Sequence, residues 1–176
     1  MHPRIQELIQ YLDAQRAGLR AAFDAVPREA RDRSPAPGRW SAANVIEHLA
    51  IVEQGVSHRL TSRIAEARAE GLGPETNDDP VLPTLPLSRL LDRTTRFAAR
   101  EGVLPTGMPA DAAWASLEAA GAALRDALKS GDGLALGTLT MPHPRLGEMS
   151  LYYFVAFIGA HEARHAEQIR EITQNV

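Results

Sequence analysis

The chain has 176 residues, 44% hydrophobic and 23% charged, the arithmetic of a single globular domain over residues 1–176. A formal net charge of -3 supplies no basic field to hold a phosphate backbone, so no nucleic-acid partner is expected. With six histidines and no cysteine, disulfides, thiolate nucleophiles and cysteine-held metals are excluded, and any metal must be bound through nitrogen and oxygen.

The first residues, Met1 to Ile5, lack the apolar run of a secretion signal, and no stretch approaches the roughly 20 apolar residues that cross a bilayer. No membrane partner and a cytoplasmic location are therefore expected. Few aromatics and abundant alanine favour helices packed side by side over a β-sandwich.

Apolar positions Ile5, Leu8, Ile9, Leu12, Leu19, Ala22, Phe23 and Val26 recur with helical period, with a polar gap at Gln15 and Arg16, until Pro27 ends the first helix. A second helix begins at about residue 41, with Ser41 as N-cap and Trp40 placed to pack on Val45. Its stripe is Val45, Leu49, Val52, Val56, Leu60 and Ile64, and Gly71, Gly73 and Pro74 stop it.

Pro74, Pro80, Pro83 and Pro86 make residues 71 to 86 an ordered crossover loop, followed by a minor helical pattern at Leu87, Leu90, Leu91, Thr94 and Phe97. Asp111 is expected to cap a third helix with the stripe Trp114, Leu117, Gly121, Leu124 and Leu128, ending at Gly131. Residues 134 to 140 alternate weakly and read as extended, but no convincing strand pair is visible. The fourth helix opens near Ser150 and carries Leu151, Phe154, Val155, Ile158, His161, His165, Ile169 and Ile172 on one stripe. The expectation is an all-α four-helix bundle, antiparallel or mixed, with a long crossover connection between helices 2 and 3.

Three histidines carry the chemical signal. His48 falls between Val45 and Val52 on the buried side of the second helix, and His161 and His165 stand one turn apart in the apolar stripe of the fourth, so all three are expected to face the bundle interior. A histidine pair at this spacing presents two nitrogens to one ion, and a third from a facing helix completes a tripod with open positions. A lone histidine on an apolar face is usually a hydrogen-bonded core residue. Three buried together are harder to explain so, because each resists protonation and needs its own partner.

The run His161-Glu162-Ala163-Arg164-His165 also spells HExxH, the helix motif of zinc proteases. Its context fails: the extended motif needs glycine where Gln168 stands and histidine where Glu171 stands, and Glu162 lies about 100° around the helix from His161. Glu53 and Glu162 are candidate bases but read as solvated-face residues. Asn44 and Gln168, each about one turn from a tripod histidine, are weak catalytic candidates able to orient a ligand ring or a bound water. His2, His58 and His143 read as bystanders, and Arg145 and Arg164 are placed to meet an anionic substrate.

Together, WSAANVIEHL at 40 to 49, HPRLGEMSL at 143 to 151 and AHEARHAEQI at 160 to 169 resemble the DinB/YfiT-like family of metalloenzymes, in its DinB-like branch. The resemblance spans most of the chain, and the HxxxH pair with an upstream histidine is its most specific part. It implies a four-helix bundle, often in homodimers, holding a divalent metal, zinc or nickel, on His48, His161 and His165. Relatives include thiol S-transferases, so a low-molecular-weight thiol cosubstrate is implied as well as hydrolase-like chemistry on a small-molecule substrate. A shared fold does not transfer the substrate, and a non-catalytic metal-binding or ligand-binding bundle is the alternative.

Overall fold

Pro3 at the first helical position and His2, whose Nδ1 accepts the Arg4 N–H, start helix α1 (Pro3–Asp24). Helix α2 (Ala42–Ala69) opens on a reciprocal cap: Ser41 Oγ accepts the Asn44 N–H while Asn44 Oδ1 accepts the Ser41 N–H. It ends where Gly71 takes a positive φ of 81°. The computed structural model describes residues 1–92, 99–143 and 146–174. The minor helical pattern is a single turn, α3 (Ser88–Leu91), while its expected members Thr94 and Phe97 lie outside the described residues.

Helix α4 (Ala110–Ser130) differs from expectation at its start. Asp111 is not the cap: it lies inside the first turn and pairs with Arg28 at 2.6 Å. The Ala110 N–H is taken instead by Asp32 Oδ1, at 2.8 Å from the α1–α2 connection, so the cap comes from a segment distant in sequence. Residues 134 to 140 are extended only at their ends, where Leu134 bridges to Pro74 and Thr140 opens a strand, with a 3₁₀ turn at Leu136–Thr138 between them.

The bundle is all-α as expected apart from one small strand pair that the sequence does not reveal: β1 (Thr140–His143) and β2 (Gly147–Ser150) pair antiparallel, with Met141 opposite Met149 and both side chains buried. Pro142 removes one donor, which a two-stranded ribbon tolerates because each strand has a free edge. Ser150 then caps α5 (Leu151–Thr173) through the Tyr153 N–H.

Cross-contacts give the helix directions. α1 and α5 run parallel: Arg4 lies over the Tyr152 ring near their starts, and Arg16 meets Glu162 further along both. α2 runs antiparallel to α5, with Arg59 over Phe154 at one level and His48 beside His165 at another. α4 is antiparallel to α1, placing Trp114 on Phe23 and Arg125 on Asp13. The long crossover from α2 therefore returns the chain to run α4 parallel to α2. α1 lies chiefly against α5, and α2 chiefly against α4, so the bundle is two helix pairs joined face to face.

Two apolar clusters fill this bundle. One holds Leu12, Val56, Leu124 and Ile158, and the other holds Leu19, Ala50, Leu117 and Ala166. Between them, at the matching level of every helix, stand Arg16, Glu53, Gly121 and Glu162.

Candidate metal centre

Acidic side chains tie the crossover down beside α2. Glu47, 1% exposed, accepts the N–H groups of Thr106, Gly107 and Met108 and the Thr106 hydroxyl at 2.6 to 3.0 Å. This anchors the loop whose Val103 carbonyl lies 2.7 Å from His48 Nδ1. A carbonyl only accepts, so Nδ1 carries the proton and Nε2 is left as the free lone pair.

On α5, His165 Nδ1 lies 2.8 Å from Gln168 Oε1, and the Nε2 atoms of His165 and His161 approach to 3.1 Å. One ring nitrogen from each of His48, His161 and His165 falls within 4.8 Å of the other two. Zinc–nitrogen bonds of about 2.0–2.1 Å place tetrahedral neighbours about 3.3 Å apart, so the His161–His165 approach has the spacing of two ligands to one ion. Outward hydrogen bonds on Nδ1 are the second-layer pattern that orients metal-binding imidazoles. The donor set therefore fits a divalent cation.

The surroundings are aromatic. Trp40, packed on the cluster that includes Val45, lies 5.0 Å from the His48 ring, and Phe157 stacks on His161 at 5.5 Å. Burial holds the His48 imidazole below its ordinary value and drives His161 well below it, helped by the neighbouring His165 and His48. Both stay neutral at neutral pH, the form that ligates.

The three histidines are brought together as expected, away from the bundle centre. They are strung across the seam between α2 and α5, under the crossover, with His48 5% exposed and the other two half-buried. The centre belongs to residues that sequence patterning placed elsewhere. Glu53 and Glu162, expected on solvated faces, are each only 2% exposed, and Arg16, read as a polar gap in a stripe, is 8% exposed between them.

Arg16 Nη2 donates to Glu53 Oε2 and Glu162 Oε1, both at 2.6 Å, and Nη1 donates to the Leu117 carbonyl at 3.2 Å. Burial pushes Glu53 up to about 7 against the pull of Arg16, and raises Glu162 likewise. Glu53 Oε1 and Glu162 Oε2 accept no hydrogen bond from the described residues. Heptad position was the available signal: Glu53 stands four after Leu49 and three before Val56, and Glu162 four after Ile158.

Among the other candidates, Asn44 has its Oδ1 committed to the α2 cap, and Gln168 faces His165. Glu162, the glutamate of the HExxH spelling, is held on Arg16 in the core. Arg164 is turned to the crossover, donating to the carbonyls of Leu90 and Asp92. His58 is exposed, and His2 sits at the start of α1. His143, on β1, packs on Phe157 at 4.9 Å, one ring away from His161. Arg145 lies outside the described residues.

The profile of the DinB superfamily matches residues 7–169. The chain belongs to the DinB superfamily. Among solved structures it is similar to one described as "Crystal structure of TT2238, a four-helix bundle protein". The two are 20% identical with a TM-score of 0.58, over 95% of this chain and 98% of that one. That likeness bears on the fold alone, and it agrees with the four long helices seen here. No curated protein matches the sequence. No described helix is long and apolar enough to cross a membrane.

Proposed function

We propose that this DinB superfamily chain is a metal-dependent enzyme acting on a small molecule, with its divalent cation, zinc or nickel, held by His48, His161 and His165. The observation that carries the proposal is the convergence of three imidazoles, two of which have Nδ1 turned onto oxygen acceptors at 2.7 and 2.8 Å. A divalent cation bound there supplies Lewis acidity, lowering the pKa of a thiol or water and favouring an anionic group in its open positions.

The chain's own residues do the rest. Val103 and Gln168 hold two of the rings in the ligating tautomer, Trp40 and Phe157 exclude water from two sides, and burial keeps His48 and His161 neutral. Because the chain contains no cysteine, a sulfur nucleophile must arrive as a low-molecular-weight thiol, whereas hydrolysis needs none.

Metal analysis of untagged protein tests the site. Near-stoichiometric metal that is lost in both His48→Ala and His165→Ala supports it, and unchanged content in the variants overturns it. Electrophile consumption assayed with and without added thiols separates transfer from hydrolysis, and absence of turnover with bound metal assigns the chain to the non-catalytic alternative.

A further inference from the structure

The polar layer at the bundle centre has no part in ligation, and stability alone does not account for it. Withdrawing a guanidinium and two carboxylates from water costs desolvation energy, and well-packed apolar replacements for such clusters are often neutral or stabilising. Here two carboxylate oxygens are left without a described partner, a further cost. Yet the cluster is built for: a Cβ on Gly121 would lie 2.8 Å from Arg16 Nη1 and 3.0 Å from Nη2, so α4 is notched to admit the guanidinium.

Its placement says what it does. Arg16 issues from α1 and binds Glu53 on α2, the Leu117 carbonyl on α4 and Glu162 on α5. It thus bridges the two helix pairs across the seam that the histidine tripod also spans. Glu162 directly follows His161, so any rotation of α5 that draws Glu162 off Arg16 swings His161 through the same angle. Glu53 stands five residues beyond His48 on α2, about 7.5 Å along the same helix, so a contact that fixes Glu53 also fixes the rotation and height at which α2 presents His48.

We infer that Arg16, Glu53 and Glu162, seated in the Gly121 notch, form a positioning clamp that sets the separation and rotation of α2 and α5, and hence the spacing of His48 from His161 and His165. This rests on the metal reading for its consequence, but the clamp itself is a property of the metal-free protein. Ligation tolerates little error, since a supporting shell about 1 Å too loose defeats a site of this kind.

The absence of native cysteine allows specific spin labelling at exposed positions through Gln54→Cys on α2 and Glu167→Cys on α5. In the metal-free full chain, the distance distribution between the labels is expected to be narrow, and to broaden or shift when Arg16→Met, Glu53→Leu and Glu162→Met are combined. The same triple variant is expected to retain its helical circular dichroism and melting temperature while binding zinc about ten- to a hundredfold more weakly in chelator competition.

An unchanged distance distribution with unchanged zinc affinity overturns the inference. If the triple variant does not fold, Gly121→Ala, which crowds the guanidinium without removing a charge, must broaden the distribution, and failure to do so overturns it equally. A wild-type protein that binds no zinc removes the metal reading, while the label distances still judge the clamp.

Discussion

Glu47 accepts both the backbone N–H and the hydroxyl of Thr106, at 2.7 and 2.6 Å, one residue before His48 on α2. The same carboxylate takes the next two N–H groups, so the chain returning from the crossover is moored beside His48, whose tautomer it selects. Glu47→Ala strands these donors and is expected to cost about 2–4 kcal/mol in denaturant unfolding. Burial pulls the Glu47 carboxyl upward, but the hydrogen bonds from Thr106, Met108 and Gly107 outweigh it and hold the group below its ordinary value. A depressed carboxylate contributes stability above its unfolded pKa and loses it as pH falls through the folded one. The gap between wild type and Glu47→Ala should therefore shrink on acidification below the ordinary carboxylate range. A gap that is flat across that range would falsify the mooring role.

Gln168→Ala removes the acceptor from His165 Nδ1 while leaving all three imidazoles in place. Zinc affinity by chelator competition should fall about ten- to a hundredfold, with little change in melting temperature. Equal affinities would mean that another partner sets the His165 tautomer.

The buried Glu53 carboxyl, pushed up to about 7, reverses the usual pH logic. An acid whose folded pKa lies above its unfolded value keeps its proton better in the fold, so its contribution favours folding at low pH and is lost as pH rises towards that folded value. Relative to Glu53→Gln, wild-type stability should drop by about 3 kcal/mol between pH 4.5 and 7 and level off above. Parallel stability curves for the two proteins would contradict this.

Two glycine replacements should have opposite signs. At Gly159, where α5 crosses α1, an added Cβ would lie 2.5 Å from Tyr11 Cε1, and Gly159→Ala is expected to destabilise by about 1–3 kcal/mol. Gly55, exposed on α2, has nothing within 4 Å of that position, so Gly55→Ala should stabilise by about 0.5–1 kcal/mol. Thermal melts of both variants are the check.

The features legible in the sequence were those with a local physical signature. Ser41 and Ser150 mark helix starts because a hydroxyl there takes an orphan N–H, and Gly131 marks an end. His161 and His165 were found together because one helical turn fixes their neighbourhood, and His48 because its stripe is buried. The central layer was missed because Arg16, Glu53 and Glu162 are charged types that are rarely buried unless paired, and their pairing joins residues 37 and 146 positions apart. Asp32 capping α4 escaped for the same reason, since nothing local links it to Ala110. The hairpin escaped because Pro142 argues against a strand except where an edge is free.

The parallel pairing of α1 with α5 places the earliest and latest helices of the chain against each other. During synthesis α1 leaves the ribosome with an apolar face whose principal partner is not made until the last 23-residue helix emerges. Folding of these residues is therefore governed by a contact of long sequence separation, and a ribosome stalled before α5 would present α1 to chaperones as exposed hydrophobic surface.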